Sequence, residues 1–125
     1  MRFISTRMHG MTDYLIGVLL IAAPYLFGFA TGGPKQWVPM ALGAGVIVYS
    51  LITDYELGAV RMIPMPAHLA LDGLGGAFLA ASPWLFGFQD QVFWPHLVIG
   101  LFEIGASLMT QTVPTHDARL AASRR

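Results

Sequence analysis

The sequence predicts an all-α membrane protein, four transmembrane helices built as two tandem, parallel helical-hairpin repeats. Three observations predict it. Hydrophobic residues make up 55% of the 125 residues and charged residues only 11%, with a mean hydropathy of +0.61; soluble domains run near 25% charged. Four long apolar stretches follow one another with polar or breaker-rich segments between them. The first pair of stretches also recurs in the second pair.

The stretches are Tyr14 to Ala30, Trp37 to Thr53, Gly73 to Gln89 and Phe93 to Thr110. Three carry no charge, and the fourth carries only Glu103. Each is roughly 26 Å long as helix, near the lower limit for a ~30 Å hydrocarbon core. Trp37, Trp84 and Trp94 stand beside the two short connections, where amphipathic rings favour a membrane–water interface. Thr31 to Lys35 separates the first pair and Gln89 to Gln91 the last. The longest connection, Asp54 to Pro66, holds Asp54, Glu56, Arg61 and two prolines. Pro114 to Arg125 forms a polar tail. Arg2 and Arg7 ahead of an apolar run imitate a secretory signal, but the same segment recurs internally, so a mature helix is expected.

The repeat is ungapped over the first helix of each pair. His9 to Phe29 aligns with His68 to Phe88 at a constant offset of 59, and eleven of the 21 positions are identical. The second helices align at an offset of 57, pairing Trp37 with Trp94, Gly43 with Gly100, Ser50 with Ser107 and Thr53 with Thr110. The copies therefore run about 9–54 and 68–111 within a single domain. Two spans per copy return the chain to its starting side, which makes the repeats parallel. Six arginines (Arg2, Arg7, Arg61, Arg119, Arg124, Arg125) fall on the side of the termini and middle loop, against Lys35 alone opposite. By the positive-inside rule both termini, including the tail 114–125, are expected in the cytoplasm of a multi-pass cell-membrane protein.

Ala81-Ser82-Pro83-Trp84-Leu85-Phe86-Gly87-Phe88, with its degenerate copy Ala23-Pro24-Tyr25-Leu26-Phe27-Gly28-Phe29, resembles the SPW-repeat family of small bacterial membrane proteins, named for the Ser-Pro-Trp triplet. The second copy holds the full triplet, while Ala23 and Tyr25 replace serine and tryptophan in the first. The resemblance implies a membrane location and a paired-helix fold over nearly the whole chain. It implies no catalytic residues.

Chemistry-bearing candidates are few. His9 and Asp13, repeated as His68 and Asp72, lie four residues apart on one helical face. At a helix start the aspartate would favour the positive end and bond its neighbouring histidine. Brought together across the two copies, the four would form a proton-handling or divalent-metal cluster. Glu103 is the single ionisable residue deep in a span, and its repeat counterpart is Val46. An intramembrane carboxyl group is costly and turns to a partner or a wet cavity. Pro24-Tyr25 and Ser82-Pro83-Trp84 suggest helix exits or kinks with interfacial anchors, Ser82 re-satisfying a backbone group that the proline frees. Spacings of four at Gly73, Ala77 and Ala81, and at Ala41 and Gly45, suggest close helix packing or homo-oligomerisation. His96 and His116 stand alone.

Several classes drop out. Zero net charge and no basic face argue against nucleic acid, and the absence of cysteine removes thiol catalysis and thiolate metal sites. No phosphate-binding loop, nucleophile elbow or metalloprotease helix is present, and no cofactor is implied. The leading expectation is a structural or accessory protein acting through lipid bilayer or membrane-protein contacts. The alternative is a small proton- or cation-coupled transporter or channel using Glu103 and the His–Asp pairs. An enzyme would require those pairs to hold a metal.

Overall fold

The computed structural model describes residues 2–114. His116 and the expected tail beyond Pro114 lie outside them. Four helices follow in order: α1 (Thr6–Leu26), α2 (Pro34–Leu51), α3 (Met65–Leu85) and α4 (Trp94–Met109). Among the described residues there is no strand, only two isolated bridges.

The helices do not begin where the sequence places the apolar runs. α1 and α3 start eight residues earlier, at Thr6 and Met65 rather than Tyr14 and Gly73. The physical reason lies in their first two turns. There the polar His9, Asp13, His68 and Asp72 are satisfied inside the bundle, so polarity marks a buried face instead of a helix boundary. Ser5 caps α1 by accepting from the Met8 amide at 3.1 Å. Pro34 opens α2 behind Gly33, and Pro66 and Pro95 sit in the first turns of α3 and α4, where a missing amide proton costs nothing. Gly28 and Gly87, both left-handed, carry the chain out of α1 and α3 at equivalent positions.

Each hairpin is closed by a glycine-to-glycine crossing. A Cβ on Gly43 would stand 2.6 Å from the Gly17 carbonyl oxygen, and one on Gly100 would stand 2.5 Å from that of Gly76. Gly17 and Gly76 are repeat equivalents, as are Gly43 and Gly100. These bring the helices together, while of the expected small-residue stripes Gly73 meets another helix, where a Cβ would stand 3.2 Å from Ser107 Oγ. Ala41 and Ala77 are exposed, and a Cβ on Gly45 would meet nothing within 4 Å. A spacing of four identifies a face, but several faces of these helices satisfy it. Leu20, Val38, Leu79 and Ile99 fill the centre of the bundle.

The repeats also close on one another. Ile4, ahead of α1, bridges in parallel to Thr110 at the end of α4; Ile63, ahead of α3, bridges to Thr53 at the end of α2. The two bridges are equivalent at the repeat offsets of 59 and 57. The middle connection tucks beneath the bundle, with a fully buried Tyr55 packed on Met65 and Leu69. Tyr14 donates to the Leu57 carbonyl and Thr6 to the Glu56 carboxylate, anchoring that connection to α1.

No helix among the described residues is long and apolar enough to cross a membrane. α4 has only 16 residues, and α1 and α3 carry histidine, aspartate and proline within their length.

Candidate functional site

The first turns of α1 and α3 face each other, and the geometry puts His9, Asp13, His68 and Asp72 into one buried quartet, none more than 1% exposed. The pairing crosses between copies. His9 Nε2 donates to Asp72 Oδ2 at 2.6 Å, and His68 Nε2 donates to Asp13 Oδ2 at 2.8 Å. Contacts within one helix are longer, 3.0 Å for His9 with Asp13 and 3.1 Å for His68 with Asp72. The helix-end pairing expected for each neighbouring histidine and aspartate is thus secondary.

Hydrogen bonding also constrains the protonation of the imidazoles. Thr110 Oγ1 donates its proton to the Ala106 carbonyl at 2.6 Å, and Thr53 Oγ1 donates to the Tyr49 carbonyl at the same distance. Each hydroxyl can then only accept from the histidine beside it, His9 Nδ1 or His68 Nδ1, both at 2.7 Å. Where both carboxylates are ionised, and so accept only, both nitrogens of each ring are donors. Two imidazolium and two carboxylate groups balance one another, which is the condition for burying charge without a large desolvation penalty.

The balance is symmetric, but the outer partners are not. Tyr49 on α2 donates to Asp72 Oδ1 in a short hydrogen bond. The corresponding residue on α4 is Ala106, which has no donor, and Asp13 Oδ1 is left without a hydrogen-bond partner. Tyr55, from the middle connection, donates to Asp13 Oδ2 at 3.0 Å.

The four ligating atoms of the quartet lie within 4.8 Å of one another, close enough to suggest a metal. Tetrahedral zinc with bonds near 2.1 Å would hold its ligands about 3.4 Å apart. The four His–Asp contacts run from 2.6 to 3.1 Å, with Asp13 reaching the two histidines through different oxygens. A metal would have to displace two protons and widen the site. The arrangement fits proton-linked pairs better than a metal centre.

Glu103, from α4, lies 4% exposed near this quartet, and neither carboxyl oxygen has a hydrogen-bond partner. It forms part of the lining of a cavity of about 370 Å³ between α2 and α3. Asp72 and Tyr49 line the same space, together with Leu20, Val46 and Leu79. Glu103 and the quartet, independent candidates in sequence, thus share one cavity. Val46, the counterpart of Glu103, faces it in the same cavity wall.

The proline–aromatic segments lie at the far end of the bundle. Ser82 Oγ donates to the Leu79 carbonyl at 2.7 Å, the carbonyl whose helical partner would be the missing amide proton of Pro83. Ala23 leaves the equivalent Leu20 carbonyl without that bond. Trp84, Tyr25, Trp37 and Trp94 are half or more exposed at this end; Trp94 meets Phe27 and Trp37 meets Phe86 edge-on. His96 is buried against Phe29 and Phe88 and donates from Nε2 to the Lys35 carbonyl.

Sequence reasoning missed Thr53, Thr110, Tyr49 and Tyr55. The threonines carried a usable signal, since they are duplicated beside the duplicated histidines. Tyr49 is unduplicated, and Tyr55 belongs to a connection with no copy. Fold and site together define a class: a four-helix protein of two parallel hairpins locked by a symmetric His–Asp quartet. The SPW repeat domain matches residues 7–110, and the chain belongs to that family. No curated protein and no solved structure matches it.

Proposed function

We propose that the protein is a membrane-embedded carrier that takes up and releases protons at Glu103, beside a charge-balanced quartet that holds its two repeats together. One observation carries this reading: the cavity between α2 and α3 joins an unpartnered buried carboxyl group to Asp72 and Tyr49. A carboxyl group without partners is held most cheaply as the neutral acid, and a cavity offers its proton a route in and out.

The membrane setting draws support from an inverted distribution of polarity. Leu15, Val18, Val48, Leu74, Leu101 and Phe102 are at least half exposed along the helix faces, while histidine, aspartate, glutamate, serine and threonine are buried. An apolar exterior of this extent marks contact with lipid or another protein. Tryptophans gather at one end, and Arg2, Arg7 and Arg61 occupy the other, which we assign to the cytoplasmic face. The bilayer is then the principal partner. A purely structural, accessory role is favoured by the quartet itself, whose cross-repeat bonds resemble a lock more than a relay.

Glu103→Val separates the two, because Val46 already shows that this position accepts valine in the other copy. Purified protein in phospholipid vesicles enclosing a pH-sensitive dye should dissipate an imposed pH gradient several-fold faster than the Glu103→Val variant. Equal rates would leave the structural role standing and remove the carrier.

A further inference from the structure

The cavity has a chemical polarity of its own. Its lining is mostly apolar, with Leu20, Leu42, Val46 and Leu79, and its polar residues are Tyr49, Asp72 and Glu103. Tyr49 has committed its proton to Asp72, and no basic side chain lines the space. The quartet behind is already balanced, so ionised Glu103 would stand as an uncompensated buried charge. Whatever pairs with it must bring both hydrogen-bond donors and a positive charge. A volume of about 370 Å³ lies at the small end of ligand pockets, which span roughly 300–1,000 Å³.

We propose that the α2–α3 cavity binds a primary ammonium cation bearing an apolar tail, the ammonium group on Glu103 and the tail along the leucine and valine walls. The ammonium N–H donors would go to the Glu103 carboxylate, whose oxygens carry no other hydrogen bond, with Tyr49 lining the same space. A charge-assisted bond to a desolvated carboxylate is about twice as strong as a neutral one. The groups that act electrostatically on Glu103 are Asp72 and His68 on α3 and Asp13 and His9 on α1, with Tyr49 on α2. Among the first four, positive and negative charges are equal in number. Binding is an exchange: the neutral acid gives up its proton to solvent, the carboxylate pairs with the cation, and one proton leaves for each cation bound. This deepens the proton-carrier reading and rests on it for the titration of Glu103.

The test uses the full chain in lipid nanodiscs, with 4-phenylbutylammonium as the probe and 4-phenylbutanol as its neutral match. Saturable binding of the cation is expected, with close to one proton released per site in weakly buffered solution. The alcohol should bind at least about tenfold more weakly, and Glu103→Gln and Glu103→Val should abolish proton release. Equal binding of alcohol and cation, or cation binding without proton release, would overturn the ligand class. No cation binding by a protein that still conducts protons in vesicles would overturn it too, while sparing the carrier. Loss of both would remove both.

Discussion

The two repeats share their skeleton and differ in their chemistry, most tellingly at three positions where one copy is polar and the other apolar. Histidine, aspartate, threonine, the crossing glycines and the helix-exit glycine occur in both copies, and the histidines, aspartates and threonines meet across the pseudo-two-fold. Glu103 against Val46, Tyr49 against Ala106 and Ser82 against Ala23 do not. All three departures touch buried places where the partner copy is apolar. A duplicated group must satisfy itself twice over, which suits a scaffold. An unduplicated acid on a cavity wall has no such duty. Separating the copies in this way distinguishes what holds the protein together from what it offers to a ligand.

Breaking the shared part should cost most. His9→Ala and His68→Ala each leave a buried carboxylate uncompensated, a loss of about 3–5 kcal/mol. The two should cost nearly the same, and the double variant much less than their sum, because the partners form one network. Thermal unfolding in nanodiscs reads this directly; additive or very unequal losses would deny the symmetry. Next come the crossings. Gly100→Ala drives a Cβ into the backbone of Gly76 and Ala80 and should cost about 2–3 kcal/mol, whereas Gly105→Ala, which meets nothing within 4 Å, should stabilise by up to about 1 kcal/mol.

The unshared part predicts a change of sign. Glu103→Val removes an unpartnered buried carboxyl group and should stabilise by about 2 kcal/mol, while it ends proton exchange. A destabilised Glu103→Val would mean that the acid has a structural partner. The smallest effect belongs to the proline motif. Ser82→Ala should lose about 1 kcal/mol, the bond to the Leu79 carbonyl, and Ala23→Ser should gain a similar amount if the first copy has the same shape. Both are measured as shifts in unfolding midpoint.

Much of this was legible before any coordinates. Four helices, two copies, and the quartet as a possible meeting of His9, Asp13, His68 and Asp72 all follow from hydropathy and from the repeat. The apolar runs alone begin too late, because a polar residue on a buried face looks like a boundary to a hydropathy reading, although the His–Asp pairs were expected at the helix starts. Which glycines touch was also hidden, since Gly45 and Gly43 differ only in the face they occupy. Tyr49 was beyond reach for a simpler reason: its position in the other copy is alanine, so the repeat gives it no emphasis.

The paired bridges of Ile4 with Thr110 and Ile63 with Thr53 have one more consequence. These bridges fasten one copy to the other twice, yet the peptide chain runs across only one of the two junctions. Segment 52–64 is covalent there; opposite it, residues near 4 and 110 make the equivalent join by hydrogen bonds alone, Ile4 to the Met109 carbonyl and Gln111 to the Ile4 carbonyl. In topological terms the molecule is a closed loop of two equal arcs with one seam sewn and one seam merely touching. A protein of that kind has the architecture of a homodimer whose subunits have been tethered, and the tether lets one arc hold Glu103 where the other holds Val46.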